Sequence, residues 1–189
     1  MHKTKSLLFA AASFFLLTGL FHSDHTPEEQ REEILQMRQV TLKDLYKQAP
    51  EAETQINNSY GYAVFSNTGI NVLLVSTANG AGVAHNRTTG EDIFMKMFSA
   101  GGGVGMGLKD FRGIFIFANE EVFNTFVNEG WQAGAQADAA AKSGDEGEAV
   151  SMAIDVAPGI KLYQITEAGI ALQATIQGTK YWKDEDLNK

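Results

Sequence analysis

The sequence contains no cysteine in its 189 residues, and this absence excludes several functions at once. Disulfide bonds, thiol catalysis, thiolate metal sites and lipid attachment through a cysteine all require that side chain. Histidine is also scarce, since only His85 lies beyond residue 25. One histidine makes neither a catalytic triad nor a zinc site, so we expect no metal and no catalytic residue here. His85 itself is predicted to be a solvated turn residue.

Positive charge is limited as well. The chain has 15 basic and 23 acidic residues and a net charge of −8. Lys3 and Lys5 lie at the N-terminus, so residues 24–189 carry 13 basic and 23 acidic residues, a net charge of −10. Nucleic-acid binding depends on neutralising phosphates, so this balance argues against a nucleic-acid partner. It also argues against a broadly basic, membrane-binding surface, although a local basic patch remains compatible with it.

Residues 1–23 are predicted to be a signal peptide or an uncleaved N-terminal anchor. His2, Lys3 and Lys5 form a basic start, and an apolar run from Leu7 to Phe21 follows. This run is short for a membrane span and suits the core of an export signal. The sequence offers only a poor cleavage site, so an uncleaved N-terminal anchor is the alternative. In both cases we expect an exported protein that is periplasmic or associated with the cell envelope.

A glycine-rich stretch, residues 99–109, has glycine at every second position from 101 to 107. In an extended strand, one face of this stretch would carry no side chains. Close packing of another element would explain the bare face, and a bound ligand is the alternative. A phosphate-binding loop is not formed, because Leu108 follows Gly107 where that motif requires lysine. No nucleotide cofactor is therefore expected.

Residues 24–50 are predicted to form an amphipathic helix. Thr26 can cap it, Pro27 suits its first turn, and Pro50 ends it. One reading is that its apolar stripe packs on the domain, and the other is that the helix lies on a membrane surface. In the second reading Lys43 and Lys47 would contact lipid. The stripe, interrupted by Arg38, consists of Ile34, Leu35, Leu42, Leu45 and Tyr46.

From residue 51 to residue 189 the pattern indicates a β-rich domain. A short helix is expected over 119–128, capped by Asn119 and closed by Gly130. Residues 184–189 are predicted to be a charged tail. The fold class is α+β: a mostly antiparallel β-sheet, sandwich or barrel-like, with an N-terminal amphipathic helix and one short internal helix. Strands are predicted near 60–66, 70–76, 83–86, 93–98, 99–109, 113–118, 131–142, 149–156, 161–166 and 170–181.

Six short motifs occur in an order and spacing that resemble the SYLF domain family, also described as lipid-binding or actin-regulator domains. The similarity covers about residues 40–186 and is greatest to bacterial exported members. The motifs are Gly61-Tyr-Ala-Val-Phe65, Gly80-Ala-Gly-Val-Ala84, Gly101-Gly-Gly-Val-Gly105, Ile114-Phe-Ile-Phe117, Gly130-Trp-Gln-Ala-Gly-Ala135 and Gly178-Thr-Lys-Tyr-Trp182.

The resemblance implies a β-rich domain without enzymatic activity or cofactor. It implies phospholipid or a membrane surface as the partner. Some eukaryotic relatives also bundle actin, a partner that we do not expect for an exported bacterial-type chain. Many bacterial relatives are lipoproteins, from which this cysteine-free chain departs. The basic N-terminal segment of lipid-binding relatives is also missing, because residues 28–48 carry four basic and five acidic residues.

The first functional hypothesis is therefore a non-catalytic, membrane-associating protein of the cell envelope. Its candidate lipid contacts are Lys180, Tyr181, Trp182 and Lys183, together with Lys43 and Lys47. Packing of Trp182 against the last strand is the structural alternative.

Other functions stay open at this point. A structural or protein-interaction module without lipid binding is the main alternative. A carrier for a small apolar ligand is a further one. An enzyme is disfavoured, because the pairs Asp145–Glu146 and Glu120–Glu121 are explained by a polar loop and a helix start. The oligomeric state is left open.

Overall fold

The computed structural model describes residues 26–67, 79–99, 112–133, 152–166, 169–171 and 178–189. Residues 100–109 of the glycine-rich stretch, the strand predicted over 70–76 and all of residues 134–151 lie outside these ranges. The helices are α1 (Pro27–Gln48), α2 (Glu51–Asn57) and α3 (Glu120–Asn128). The strands are β1 (Gly61–Ser66), β2 (Asn79–Asn86), β3 (Asp92–Ser99), β4 (Arg112–Phe117), β5 (Trp131–Gln132), β6 (Ile154–Ala157), β7 (Ile160–Thr166), β8 (Gly169–Ala171) and β9 (Thr179–Lys183).

The nine described strands form one sheet in the order β5-β9-β3-β2-β1-β4-β7-β6, with β8 also paired to β7. Every pairing in this sheet is antiparallel. The predicted α+β class with a mostly antiparallel sheet is therefore confirmed. No helix within the described ranges combines the length and the apolar character needed to cross a bilayer.

Both faces of the sheet are covered by apolar side chains. On β1, Ala63 and Phe65 belong to a cluster that includes Phe123 and Phe126 of α3. Tyr62 and Val64, on the alternate positions, belong to a second cluster, which includes Leu45 of α1 and Ile56 of α2. Since alternate residues of a strand point to opposite faces, α3 packs on one face and α1 with α2 on the other.

Helix α1 begins where its sequence predicts. The Thr26 side chain accepts a hydrogen bond from the Glu29 backbone N–H, and the Glu29 carboxylate accepts one from the Thr26 N–H. This reciprocal capping box satisfies two donors that the first turn leaves free. Ile34 and Leu45 of the predicted stripe are fully buried. The stripe therefore packs on the sheet, as the first of the two readings expects.

The structure corrects the sequence reading at the end of α1 and at the C-terminus. Pro50 ends α1 but directly precedes α2, which the sequence reading missed; its φ of −57° suits a helix start. The predicted charged tail is a folded C-terminal turn, residues 184–188. Its Asn188 amide accepts from the Phe94 N–H at 3.0 Å and donates to the Phe94 carbonyl at 2.7 Å. Leu187 is buried in a cluster with Ile34, so the turn belongs to the folded domain.

Gly82 of β2 occupies a position where no side chain fits. A Cβ there would lie 2.3 Å from Cδ1 of Phe65 and 2.4 Å from the Val64 carbonyl oxygen. We expect Gly82→Ala to lower the free energy of unfolding by about 1–3 kcal/mol, because the buried ring and backbone must move. Urea unfolding measures this loss. The control is Gly90→Asn, in open space at a φ of +77° that asparagine tolerates. Equal stability of the two variants would contradict this account of β2.

Candidate membrane-contact surface

Two exposed aromatic and two lysine side chains share one corner of the sheet, on the face that α1 covers elsewhere. Phe98 of β3 pairs with Lys180 of β9, and Lys96 pairs with Trp182. These alternate residues lie on one face, so aromatic and basic side chains form a two-by-two checkerboard. Phe98 is 37% exposed and Trp182 is 39% exposed. We call Lys96, Phe98, Lys180 and Trp182 the aromatic–lysine corner.

The two lysines of the corner have different surroundings. Lys96 Nζ lies 3.0 Å from an oxygen of the buried Asp184 carboxylate. The same carboxylate accepts hydrogen bonds from the backbone N–H groups of Asp186 and Leu187, so it also holds the C-terminal turn together. Lys180 is exposed and has no ion pair within the described part of the chain. Lys180 is therefore the cation of the corner that stays available to a partner.

The strand alternation of β9 separates the four residues that the sequence grouped together. Trp182 and Lys180 lie on the corner, whereas Tyr181 and Lys183 lie on the other face. Tyr181 is 1% exposed, and its ring lies 4.7 Å from that of Phe65 and 5.0 Å from that of Phe115. Burial raises the pKa of its hydroxyl well above the ordinary value. Tyr181 is thus a core residue, and we withdraw it from the candidate lipid contacts.

Lys43 and Lys47 are exposed on α1, but they lie far from the corner in the fold. Near its start α1 packs Ile34 against residues of β2 and β3, and near its end it packs Leu45 against residues of β4 and β7. Lys43 and Lys47 belong to this second half. The structure therefore does not combine them with Lys180 and Trp182 in one site.

Sequence reasoning missed Phe98 and Lys96. Both lie in the strand predicted over 93–98, but the corner exists only because β3 pairs with β9, about 80 residues further along the chain. No local pattern encodes that register. The partial exposure of Phe98 at the end of an otherwise buried strand is the structural signal that identifies it.

A polar cluster joins α1 to the opposite end of the same sheet face. Tyr62, His85 and Asp92 form a row across β1, β2 and β3. One oxygen of Asp92 lies 2.7 Å from His85 Nδ1 and 2.5 Å from Nη1 of Arg38 on α1. Burial raises the pKa of the Tyr62 hydroxyl, and the nearby Arg38 charge opposes that rise. His85 is thus a half-buried strand residue and not the predicted turn residue.

We expect the stability of this polar cluster to depend on the Asp92 carboxylate. Asp92→Ala leaves the half-buried Arg38 without its ion-pair partner, so we expect a loss of about 1–3 kcal/mol in the free energy of unfolding. In a double-mutant cycle with Arg38→Met, the two losses should not add. The control is Asp155→Ala, whose ion pair with Lys161 lies on the surface. Additive losses in the cycle would contradict the direct coupling.

The described residues hold no group of three or more histidine or acidic side chains arranged to bind a metal ion. The aromatic–lysine corner is instead a surface of apolar and cationic groups. Such a surface can enter the boundary between water and hydrocarbon while Lys180 contacts phosphate groups.

No family model matches the chain. It is 37% identical over 164 residues to a protein named "Beta cell expansion factor A" from Aeromonas veronii. The alignment covers 87% of this chain and 61% of that relative's length. The similarity therefore extends over most of this sequence, whereas the relative is considerably longer than the region matched.

Proposed function

We propose that this protein associates with phospholipid membranes through the aromatic–lysine corner, without catalysing a reaction. The observation that carries the proposal is the checkerboard of Phe98, Trp182, Lys96 and Lys180, whose two aromatic side chains are exposed on one part of the sheet. Aromatic side chains favour the membrane interface. A lysine can lay its alkyl chain along apolar groups while its ammonium group extends to the lipid phosphates. The proposed contact is peripheral, since only surface side chains take part.

The overall negative charge of the chain limits how this contact works. With a net charge of −8, long-range attraction to an anionic membrane is weak, so binding must depend on a small surface. Phe98 and Trp182 supply apolar insertion that salt does not screen, and Lys180 adds a salt-dependent attraction. We therefore expect binding that is reduced, but not abolished, at high ionic strength.

The proposal includes membership of the SYLF domain family and export to the cell envelope. The six motifs in their order support the first part, and the basic start and apolar run of residues 1–21 support the second. A structural or protein-interaction module of the envelope is the alternative. In that case the same exposed aromatics would contact a protein, and vesicles would not bind.

Vesicle flotation of the full chain tests this function. We expect flotation with anionic vesicles, reduced at high salt. Lys180→Gln should weaken binding about fivefold at low salt, since a lysine near an anionic surface contributes about 1 kcal/mol. The matched control is the pair Lys43→Gln and Lys47→Gln, which changes two exposed lysines outside the corner and should have little effect. All variants keep residues 1–23, so their differences report only on the domain.

Absence of flotation for the unchanged chain would overturn direct lipid binding and favour the interaction module. Flotation that depends on Lys43 and Lys47 but not on Lys180 would assign the contact to α1 instead of the corner.

A further inference from the structure

A groove of about 250 Å³ adjoins the corner, between the end of α3 and strand β9. Trp182 and Lys96 belong to both the corner and the groove. Lys183, Glu129 and Glu185 are the other charged or aromatic groups on its walls. The groove therefore opens beside the surface that we propose to face the membrane, and it brings groups of both charges together there.

The positive groups of the groove are Lys96 and Lys183. Because Lys96 is already bound to Asp184, Lys183 is the cation that an incoming anion would meet. Lys183 is half-buried at the end of β9 and has no ion pair within the described residues. A phosphate group held by a lysine in a partly dehydrated site gains a charge-assisted hydrogen bond.

The negative groups of the groove are Glu129, at the end of α3, and Glu185. Glu129 is the C-terminal cap of this helix, and the last turn of α3 contains no basic residue that would offset the partial negative charge of a helix end. Glu185, on the C-terminal turn, adds a second carboxylate to the same groove. These two carboxylates are therefore suited to a cation.

Trp182 provides a third kind of contact. Its indole ring is 39% exposed, and an ammonium or quaternary ammonium group is attracted to the face of such a ring. At about 250 Å³ the groove is smaller than the roughly 300–1,000 Å³ of sites for drug-sized ligands, so it suits one small polar group.

We infer that this groove binds a zwitterionic phosphate–amine group of the phosphoethanolamine or phosphocholine class. Lys183 contacts the phosphate, and Glu129, Glu185 and Trp182 contact the ammonium. This inference rests on the proposed membrane association, because it identifies the bound phosphate–amine group as the headgroup of a phospholipid. It adds a preference for zwitterionic lipid to a surface whose lysines alone would favour anionic lipid.

The test uses the full chain and titrates soluble phosphocholine and phosphoethanolamine, with tryptophan fluorescence or calorimetry as the readout. Inorganic phosphate and choline serve as half-ligand probes. We expect a zwitterion to bind at least about tenfold more tightly than either half, since each half is attracted by groups of only one charge. The double variant Glu129→Gln, Glu185→Gln should lose this preference. Glu121→Gln, an exposed acidic residue in the first turn of α3, is the matched control.

Two results would overturn the inference: inorganic phosphate binding as tightly as phosphocholine, or unchanged zwitterion binding in the double glutamine variant. Measuring vesicle binding distinguishes failure of this groove assignment from failure of the proposed membrane association. If anionic vesicles bind while zwitterions do not, the corner stands and the groove assignment is wrong. If soluble phosphocholine binds while no vesicle does, the groove binds a free solute and the assignment to a lipid headgroup is wrong.

Discussion

Replacing Phe115 with alanine is expected to lower the free energy of unfolding by about 3–5 kcal/mol. Phe115 is fully buried on β4, the strand between β1 and β7. Its ring lies 5.0 Å from that of Tyr181, 5.3 Å from that of Phe126 and 5.6 Å from that of Trp131. Truncation removes the shared partner of these three rings, which come from β9, α3 and β5, and leaves a cavity between them.

Phe98→Ala is the matched control for this substitution. It removes the same side chain from the same sheet, but Phe98 is 37% exposed and lies at the end of β3. We expect it to change the free energy of unfolding by less than about 1 kcal/mol. Urea unfolding of both variants at one temperature provides the comparison. A midpoint for Phe115→Ala close to that of Phe98→Ala would contradict the assigned core.

The double variant Phe98→Ala, Trp182→Ala is expected to lose most vesicle binding while remaining folded. Full burial of one large apolar side chain contributes about 1.5–3 kcal/mol, and only the exposed parts of these two can enter a membrane. Together we expect a loss of about 1.5–3 kcal/mol in binding free energy, which is tenfold or more in affinity. Cosedimentation across a range of lipid concentrations measures this change.

Val40→Ala is the control for the double variant. Val40 is 58% exposed on α1 and is thus a comparably exposed apolar side chain outside the corner. Its removal should leave vesicle affinity unchanged. If Val40→Ala weakened binding as much as the double variant does, general surface hydrophobicity would explain the association and the corner would not.

Features set by neighbouring residues could be predicted from the sequence. The capping box at Thr26, the cap of α3 at Asn119 and the closing Gly130, with its φ of +76°, all depend on contacts within a few positions. The alternation of β1 and the apolar run of β4 likewise identified strands, because the side-chain period of a strand is local.

Features set by long-range pairing could not be predicted. Asn188 pairs with the backbone of Phe94, 94 positions away, and this contact turns a charged sequence into a folded turn. Arg38 interrupts the apolar stripe of α1, but its partner Asp92 lies on a strand whose register the sequence does not reveal. The corner has the same origin, so only half of it, Lys180 and Trp182, was expected.

The most direct test of membrane contact is quenching of Trp182 fluorescence by vesicles with brominated acyl chains. Trp131→Phe removes the only other tryptophan, which is partly buried and packs against the core beside Phe126, and leaves Trp182 as the sole reporter. We predict strong quenching in this variant. The reciprocal variant Trp182→Phe retains only Trp131, and we predict little quenching of its fluorescence. Vesicle-bound protein whose Trp182 is not quenched would contradict insertion of the aromatic–lysine corner.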